Sequence, residues 1–457
     1  MTALSERNIE IVRTLVSAAP DKVVGSLQQA LADTSDDSAL GGVRRLVECE
    51  VADRNLRNTV LSPIAPMCVG AGDDKKVLTF PSRILGLLWR AMAEIEPDRM
   101  NEARVAASEH MPPGIMADLH DALVVAAAAG LRSRATADFA TVADLCDAAR
   151  ADGARLLADC LDIAHIVRRA AQRLPEWLTH AGGETTAGAR LAYKDAVEIS
   201  EDVGQRLFQM LAAQMAEPWM VLRIVSAVMD KPPERYLADS ELAWFGENLM
   251  ADVDAALSAL SSLDADAGPA AGRAAARTVE VVVQQILEME TSIELTREHG
   301  WGARVHKQRV NLAAVVERRL KDAEKAAVEA LPTVASRLQG RRRPMPRLTE
   351  APNPRLLNRA KTLLAFSYEV RTTANYGGFG STRSRLVESL REHIDHYVED
   401  VLDLVRTADA GDPEIAEAFL AAAGEFEDLL LGEKAGDLIR RRSHAALHPE
   451  TATPPSR

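Results

Sequence analysis

Apolar residues recur at three- and four-residue intervals along most of this chain, the spacing that gathers them on one face of an α-helix. The clearest run lies between Ala274 and Arg297, where Val279, Val282, Val283, Ile286, Met289 and Ile293 share a side. "SRILGLLWRAMAEI" sets Ile84, Leu87, Leu88 and Met92 on a second such face, with Ser82 as its N-cap. A long helical pattern covers Thr136 to Thr179, where Pro175 is expected to kink or end the run. The first 60 residues read as short helices, one opened by Pro20-Asp21 and another over about 38–60. Further helices are expected near 189–215, 218–230, 237–262, 303–330, 355–373, 382–408 and 413–431.

Proline and glycine punctuate this pattern. Residues 61–81 hold three prolines, two glycines and a charged quartet, and "HAGGETTAG" at 180–188 is a flexible break. "LDADAGPAAG" at 263–272 and "QGRRRPMPRLTEAPNP" at 339–354 have linker composition. The expected organisation is a short-helix region over 1–80 with an irregular loop at 61–81, then a central helical domain at 82–262. A long helical hairpin at 273–338 turns at "HGWG"; a Pro/Arg-rich linker at 339–354, a helical domain at 355–443 and a disordered tail at 444–457 follow. No fixed repeat period holds, although "LPEWL" and "EPWMVL" both place a Trp just after a proline. The fold class is all-α: an elongated multi-helix array or two to three helical bundles, with diverged helical repeats as a further form.

Composition strengthens that class. The 457 residues are 47% hydrophobic but only 4% aromatic, so small and unbranched side chains supply the apolar mass. The length exceeds what one compact core accommodates. Four cysteines, Cys49, Cys68, Cys146 and Cys160, form no CxxC pair and read as buried reduced thiols. The N-terminus carries charges where a signal peptide needs an apolar stretch, and "ALVVAAAAGL" at 122–131 is about half a membrane span. These features imply a cytoplasmic protein with no integral membrane segment. Arginine outnumbers lysine 44 to 10, a bias that accompanies GC-rich bacterial genomes.

Charge changes the picture more. The net charge of −13 argues against wholesale binding to nucleic acid or an anionic membrane. Yet Arg304 to Arg385 contains 18 Lys and Arg against 6 Asp and Glu, leaving −25 on the remaining residues. On a helical wheel with Arg304 at zero, Lys307, Arg318, Lys321 and Lys325 fall at about 300°, 320°, 260° and 300°. Val305, Leu312, Val316, Leu320 and Ala323 fall between about 80° and 160°, so the basic stripe lies opposite the buried face, diluted by Asp322 and Glu329. Arg341, Arg342, Arg343 and Arg347 follow in the expected linker, where planar guanidinium forks suit carboxylate or phosphate. A solvated basic face, a protein partner, a second copy, the acidic remainder of this chain, nucleic acid and anionic lipid are all readings of that segment. Sparse aromatics count against single-stranded nucleic acid, and the committed apolar face counts against lipid.

One stretch invites a phosphate reading. "NYGGFGSTRSR" at 375–385 offers glycines, then Ser381 and Thr382 as caps, then Arg383 and Arg385. It lacks the lysine, spacing and preceding strand of a nucleotide-binding loop. Gly377, Gly378 and Gly380 therefore read as a hinge between helices, as do Gly300 and Gly302 in "HGWG". Glu392, His396 and Glu399 share a helical face but match no di-iron pattern, and His120 and His165 are isolated, so no metal ligand set emerges. No nucleophile motif and no cofactor signature is found. The expectation is a non-enzymatic scaffold or adaptor working through helical surfaces and an Arg-rich docking segment. Its rival is a nucleic-acid-associated regulator contacting phosphates through 304–347 and 383–385.

Overall fold

Alanine, leucine and valine at helical spacing do build helices almost throughout, and the protein is all-α. The computed structural model describes residues 6–35, 39–70, 78–179, 183–200, 202–240, 242–338, 341–407 and 409–448. Among them are 20 α-helices and four short strands. The chain divides into two compact units, Met1–Lys231 and Pro232–Arg457. That division falls inside the 82–262 stretch expected to form one domain.

The N-terminal unit opens with α1 (Glu6–Ala18), α2 (Asp21–Leu31) and α3 (Ala39–Val60), packed around Val16, Val24 and Val47. Two-residue strands β1 (Cys68–Val69) and β2 (Phe80–Pro81) pair in parallel in the expected interruption, of which residues 71–77 lie outside the described residues. Next come α4 (Ile84–Ile95), α5 (Pro97–Ser108) and α6 (Pro113–Ser133). Ile84, Leu88 and Met92 are fully buried as expected, but α4 starts beyond Ser82 with no side-chain cap. The pattern from 136 to 179 folds back twice into α7 (Ala137–Ala149), α8 (Gly153–Asp162) and α9 (Ala164–Thr179). Asp152 adopts a left-handed φ of 57°, and Gly153 sits so tightly on the Cys146 carbonyl that a Cβ would overlap it. Pro175 does not end α9. The expected break at 180–188 is helical from Gly183, its residues 180–182 lying outside the described ones; α10 (Gly183–Ile199), α11 (Val203–Ala213) and α12 (Val221–Met229) complete the unit.

Helix α6 is the one described helix long and apolar enough to cross a membrane, because the run at 122–131 is extended at both ends. It is also the hub of this unit, packing on α3, α4, α5, α7, α8 and α9 and burying Leu123, Val124, Ala127 and Leu131. His120 joins that buried face with no partner for Nε2 among the described residues. Burial, helped by the Arg168 charge and opposed by Asp121, pushes its pKa down to about 4 from 6.5. As pH falls between those values the unfolded chain takes up a proton that the folded imidazole refuses, so stability is lost across that window. The full loss is about 3 kcal/mol, and the lowered pKa of His165 adds to it with the same sign. Denaturation of the full chain from pH 7 to 4 should show this slope in the wild type and a shallower one in His120→Leu.

The C-terminal unit contains α13 (Glu234–Ala238), α14 (Ala243–Ser261), α15 (Pro269–Ser292) and α16 (Gly300–Ala330), then the hairpin β3 (Thr333–Leu338) and β4 (Arg341–Pro346). It ends with α17 (Pro354–Glu369), α18 (Gly380–Arg406), α19 (Pro413–Leu431) and α20 (Asp437–Leu447). The expected apolar face of α15 is buried from Val279 to Ile293. However, α15 and α16 each pack mainly on α17 rather than on each other, so they are not a simple hairpin. A Cβ on Gly272 would overlap the Thr362 carbonyl, which marks the close approach of α15 to α17.

Both expected linkers contain ordered elements. Pro269 and Pro354 start helices at their first position, where a missing N–H costs nothing, and Asn353 caps α17 through Arg355 N at 2.9 Å. Within 339–354, residues 341–346 are strand, 339 and 340 lying outside the described residues: β4 pairs antiparallel with β3 from Thr333↔Pro346 to Leu338↔Arg341. Arg347 N donates to the Pro332 carbonyl at 2.9 Å, so the ladder phase that faces β3 holds residues 345, 343 and 341. Pro344 and Pro346 occupy the opposite phase and forfeit no ladder bond. The expected tail is helical to Leu447, and residues 449–457 lie outside the described ones.

Arginines tie helix ends to neighbouring helices. Arg54 donates to the carbonyls of Val16, Ser17 and Ala19 at the end of α1, and Arg168 to Thr59 and Val60 at the end of α3. Arg223 reaches Leu178 at the end of α9, and Arg190 reaches Ala227 in α12. Arg319 holds Leu260 and Ser261 at the end of α14, and Arg383 holds Ser367 in α17. Each guanidinium satisfies carbonyls that a helix leaves open and adds a cation to the negative pole of its dipole.

Candidate interaction surface of the C-terminal unit

Helix α16 carries five of the eleven candidate cations, and its orientation follows the wheel. Val305, Leu312, Val316, Leu320 and Ala323 are buried, while Lys307, Arg318, Lys321 and Lys325 are exposed. The members of the set differ in what they touch. Arg304 is bound within the fold, to Glu247 at 3.0 Å and Asp254 at 2.8 Å. Partial burial works to raise the Asp254 carboxyl, but hydrogen bonds from Arg304 and Gln308 and the nearby Lys307 charge hold it below its usual range. Lys325 pairs with Glu329 at 3.8 Å, and Asp322 is taken by Arg319 at 3.5 Å. Among the described residues Lys307, Arg318 and Lys321 form no salt bridge.

The remaining arginines are scattered. Arg347 pairs with Glu350 at 3.8 Å after β4. The side chains of Arg341, Arg342 and Arg343 lie outside the described residues; their backbone is strand. Arg383 is half-buried against the Ser367 carbonyl, and burial, then the Arg371 charge, lowers its pKa. Arg385 is exposed and forms no salt bridge among the described residues.

The glycine stretches are corners held by packing. In 375–385 Phe379 is fully buried, Gly377 N donates to the Thr373 carbonyl at 2.8 Å, and Gly378 has φ +80°. A Cβ on Gly377 would overlap the Phe379 ring, and Gly380 opens α18. Neither Ser381 nor Thr382 caps that helix; Thr382 donates to Glu317 on α16 at 2.9 Å. In "HGWG" Gly300 has φ +63° and Gly302 lies in the first turn of α16, against the backbone of Thr296. Both approach Glu234, a residue with no sequence signal. Its buried carboxylate accepts from Gly302 N at 2.9 Å and from the Thr296 hydroxyl at 2.6 Å. The only hint available was proline before Glu234, the start of a short helix whose partner lies over 60 residues onward.

A cleft of about 820 Å³ opens beside this latch, lined by Glu234, Glu247, Thr296, Trp301 and Arg304 among others. Several of its polar groups are already engaged, since Glu247 accepts from Trp301 Nε1 at 2.6 Å as well as from Arg304. Among the described residues no cluster of His, Cys, Asp and Glu is placed to hold a metal. Glu399 of the helical trio is paired with Arg442 at 2.7 Å. Cys146 and Cys160 are buried, and burial raises the Cys146 thiol to about 12; Cys68 is half-buried, while Cys49 is exposed, contrary to expectation. Comparison with protein-family models, curated proteins and solved structures finds no match to this chain.

Proposed function

We propose that this protein is a non-catalytic scaffold or adaptor of the bacterial cytoplasm that docks an acidic protein surface on α16. One observation carries the reading: fold-internal carboxylates and carbonyls take up Arg304, Arg309, Arg319 and Arg383, yet Lys307, Arg318 and Lys321 stay exposed without salt bridges among the described residues. From Lys307 to Lys321 this face extends about 21 Å along a rigid helix. Exposed cations on a firmly packed helix suit electrostatic steering and orientation of a partner. The Arg341–Arg343 run of β4 is a second docking element in this reading.

The test is capture from nuclease-treated native lysate at low and high salt, with wild type beside Lys307→Glu/Arg318→Glu/Lys321→Glu. A stoichiometric protein should survive nuclease and bind the variant about a hundredfold more weakly. Equal capture by the variant would remove α16 from the proposal. Recovery of nucleic acid that vanishes at high salt would replace the reading with phosphate binding.

A further inference from the structure

A separate surface in the N-terminal unit has complementary character. Helices α5 and α6 meet at a tight corner where His110 takes a left-handed φ of 53°. Met111 N donates to the Ala106 carbonyl at 3.0 Å and His110 N to the Ala107 carbonyl at 3.4 Å, closing a Schellman turn. The turn delivers Met111 to a groove of about 770 Å³ between the two helices. Its floor contains Val105, Met111 and Ile115, which are 53%, 36% and 45% exposed, with Ala106 and Leu119 beneath. An apolar strip that open on a folded domain invites a partner.

The groove's charge says what kind of partner. Asp98, Glu102 and Glu109 line it, all exposed, and none forms a salt bridge among the described residues. Nearby cations are engaged elsewhere: Arg99 with Glu96 at 3.2 Å and Arg104 with Asp53 at 2.8 Å. Asp98, Glu102, Val105 and Glu109 are spaced four, three and four residues apart, so one face of α5 and its C-cap residue presents acid, acid, apolar, acid over about 16 Å. That length matches about three turns of another helix, whose apolar residues would enter the floor while lysines or arginines meet the rim. Carboxylates at the rim repel an anionic bilayer, which sets a lipid surface aside. We infer that the α5–α6 groove binds a basic amphipathic helix of a partner protein. The inference does not depend on the α16 face.

The probe is a fluorescein-labelled 14-residue peptide of leucine and lysine at helical spacing, with two controls: the same composition scrambled, and glutamate in place of lysine. Titrated with the full chain, the amphipathic basic peptide should bind saturably at one site, and both controls should bind about tenfold more weakly or worse. Val105→Asp/Ile115→Asp and Glu102→Lys/Glu109→Lys, all at exposed positions, should each weaken it about tenfold or more, with unchanged circular dichroism. Affinity within about twofold of wild type in both variants would place the peptide elsewhere and overturn the inference, as would equal binding of the glutamate peptide. Preferential binding to phosphatidylserine-containing vesicles through the same residues would overturn it in favour of lipid.

Discussion

Glu234→Ala should destabilise the C-terminal unit by about 3 kcal/mol, because it strips the acceptor from three donors at once. Those donors are Gly302 N, the Thr296 hydroxyl and, at 3.4 Å, Thr296 N. Gly302 N belongs to the open first turn of a 31-residue helix, where a carboxylate also meets the positive pole of the dipole. The adjacent cleft lets water reach part of the vacated space, which keeps the loss below the sum of three unsatisfied groups. Glu234→Gln retains one acceptor oxygen and should cost about half as much. Denaturant titration measures the loss, and hydrogen exchange should localise it to the start of α16. Unchanged exchange at Gly302 would show that other contacts hold this turn.

Arg54→Ala should cost the three N-terminal helices about 3 kcal/mol, enough to detach them locally. Arg54 is 9% exposed and donates to Asp21 at 2.5 Å, Glu50 at 2.7 Å and three carbonyls ending α1. The cluster it joins is small, built on Val16, Val24 and Val47, so lost polar contacts are not offset by a deep apolar core. Limited proteolysis should then cut within α1–α3 while the rest of the chain resists. A wild-type digestion pattern would contradict the role given to Arg54.

Periodicity located the helices well because most of them bury one face. The apolar set of α15 and the two sides of α16 follow directly from residue spacing. What spacing hides is where a helical pattern changes direction. Residues 136–179 keep helical periodicity across Asp152 and Ile163, so two reversals, the first marked by close backbone packing at Gly153, leave no gap in the pattern. Proline density misleads in the other direction. Pro269 and Pro354 begin helices and Pro344 and Pro346 sit in a strand, although all four have linker composition. The candidate surface was legible as a sided helix, but not which cations the fold would take for itself. Arg304 and Lys307 look alike in sequence; only the tertiary position of Glu247 and Asp254 separates them.

The arginine ties that close helix ends bear on how this sequence can drift. Exchange of arginine for lysine is ordinarily counted as neutral change between two basic residues. At Arg168 and Arg319 one planar fork spans two carbonyls of a neighbouring helix, and at Arg54 it joins Glu50, Asp21 and the carbonyls ending α1, a geometry that a single ammonium does not reproduce. Divergent copies of this fold should therefore hold arginine at such positions while their surface cations interchange freely, so that the guanidinium ties outlast any similarity in the helices they join.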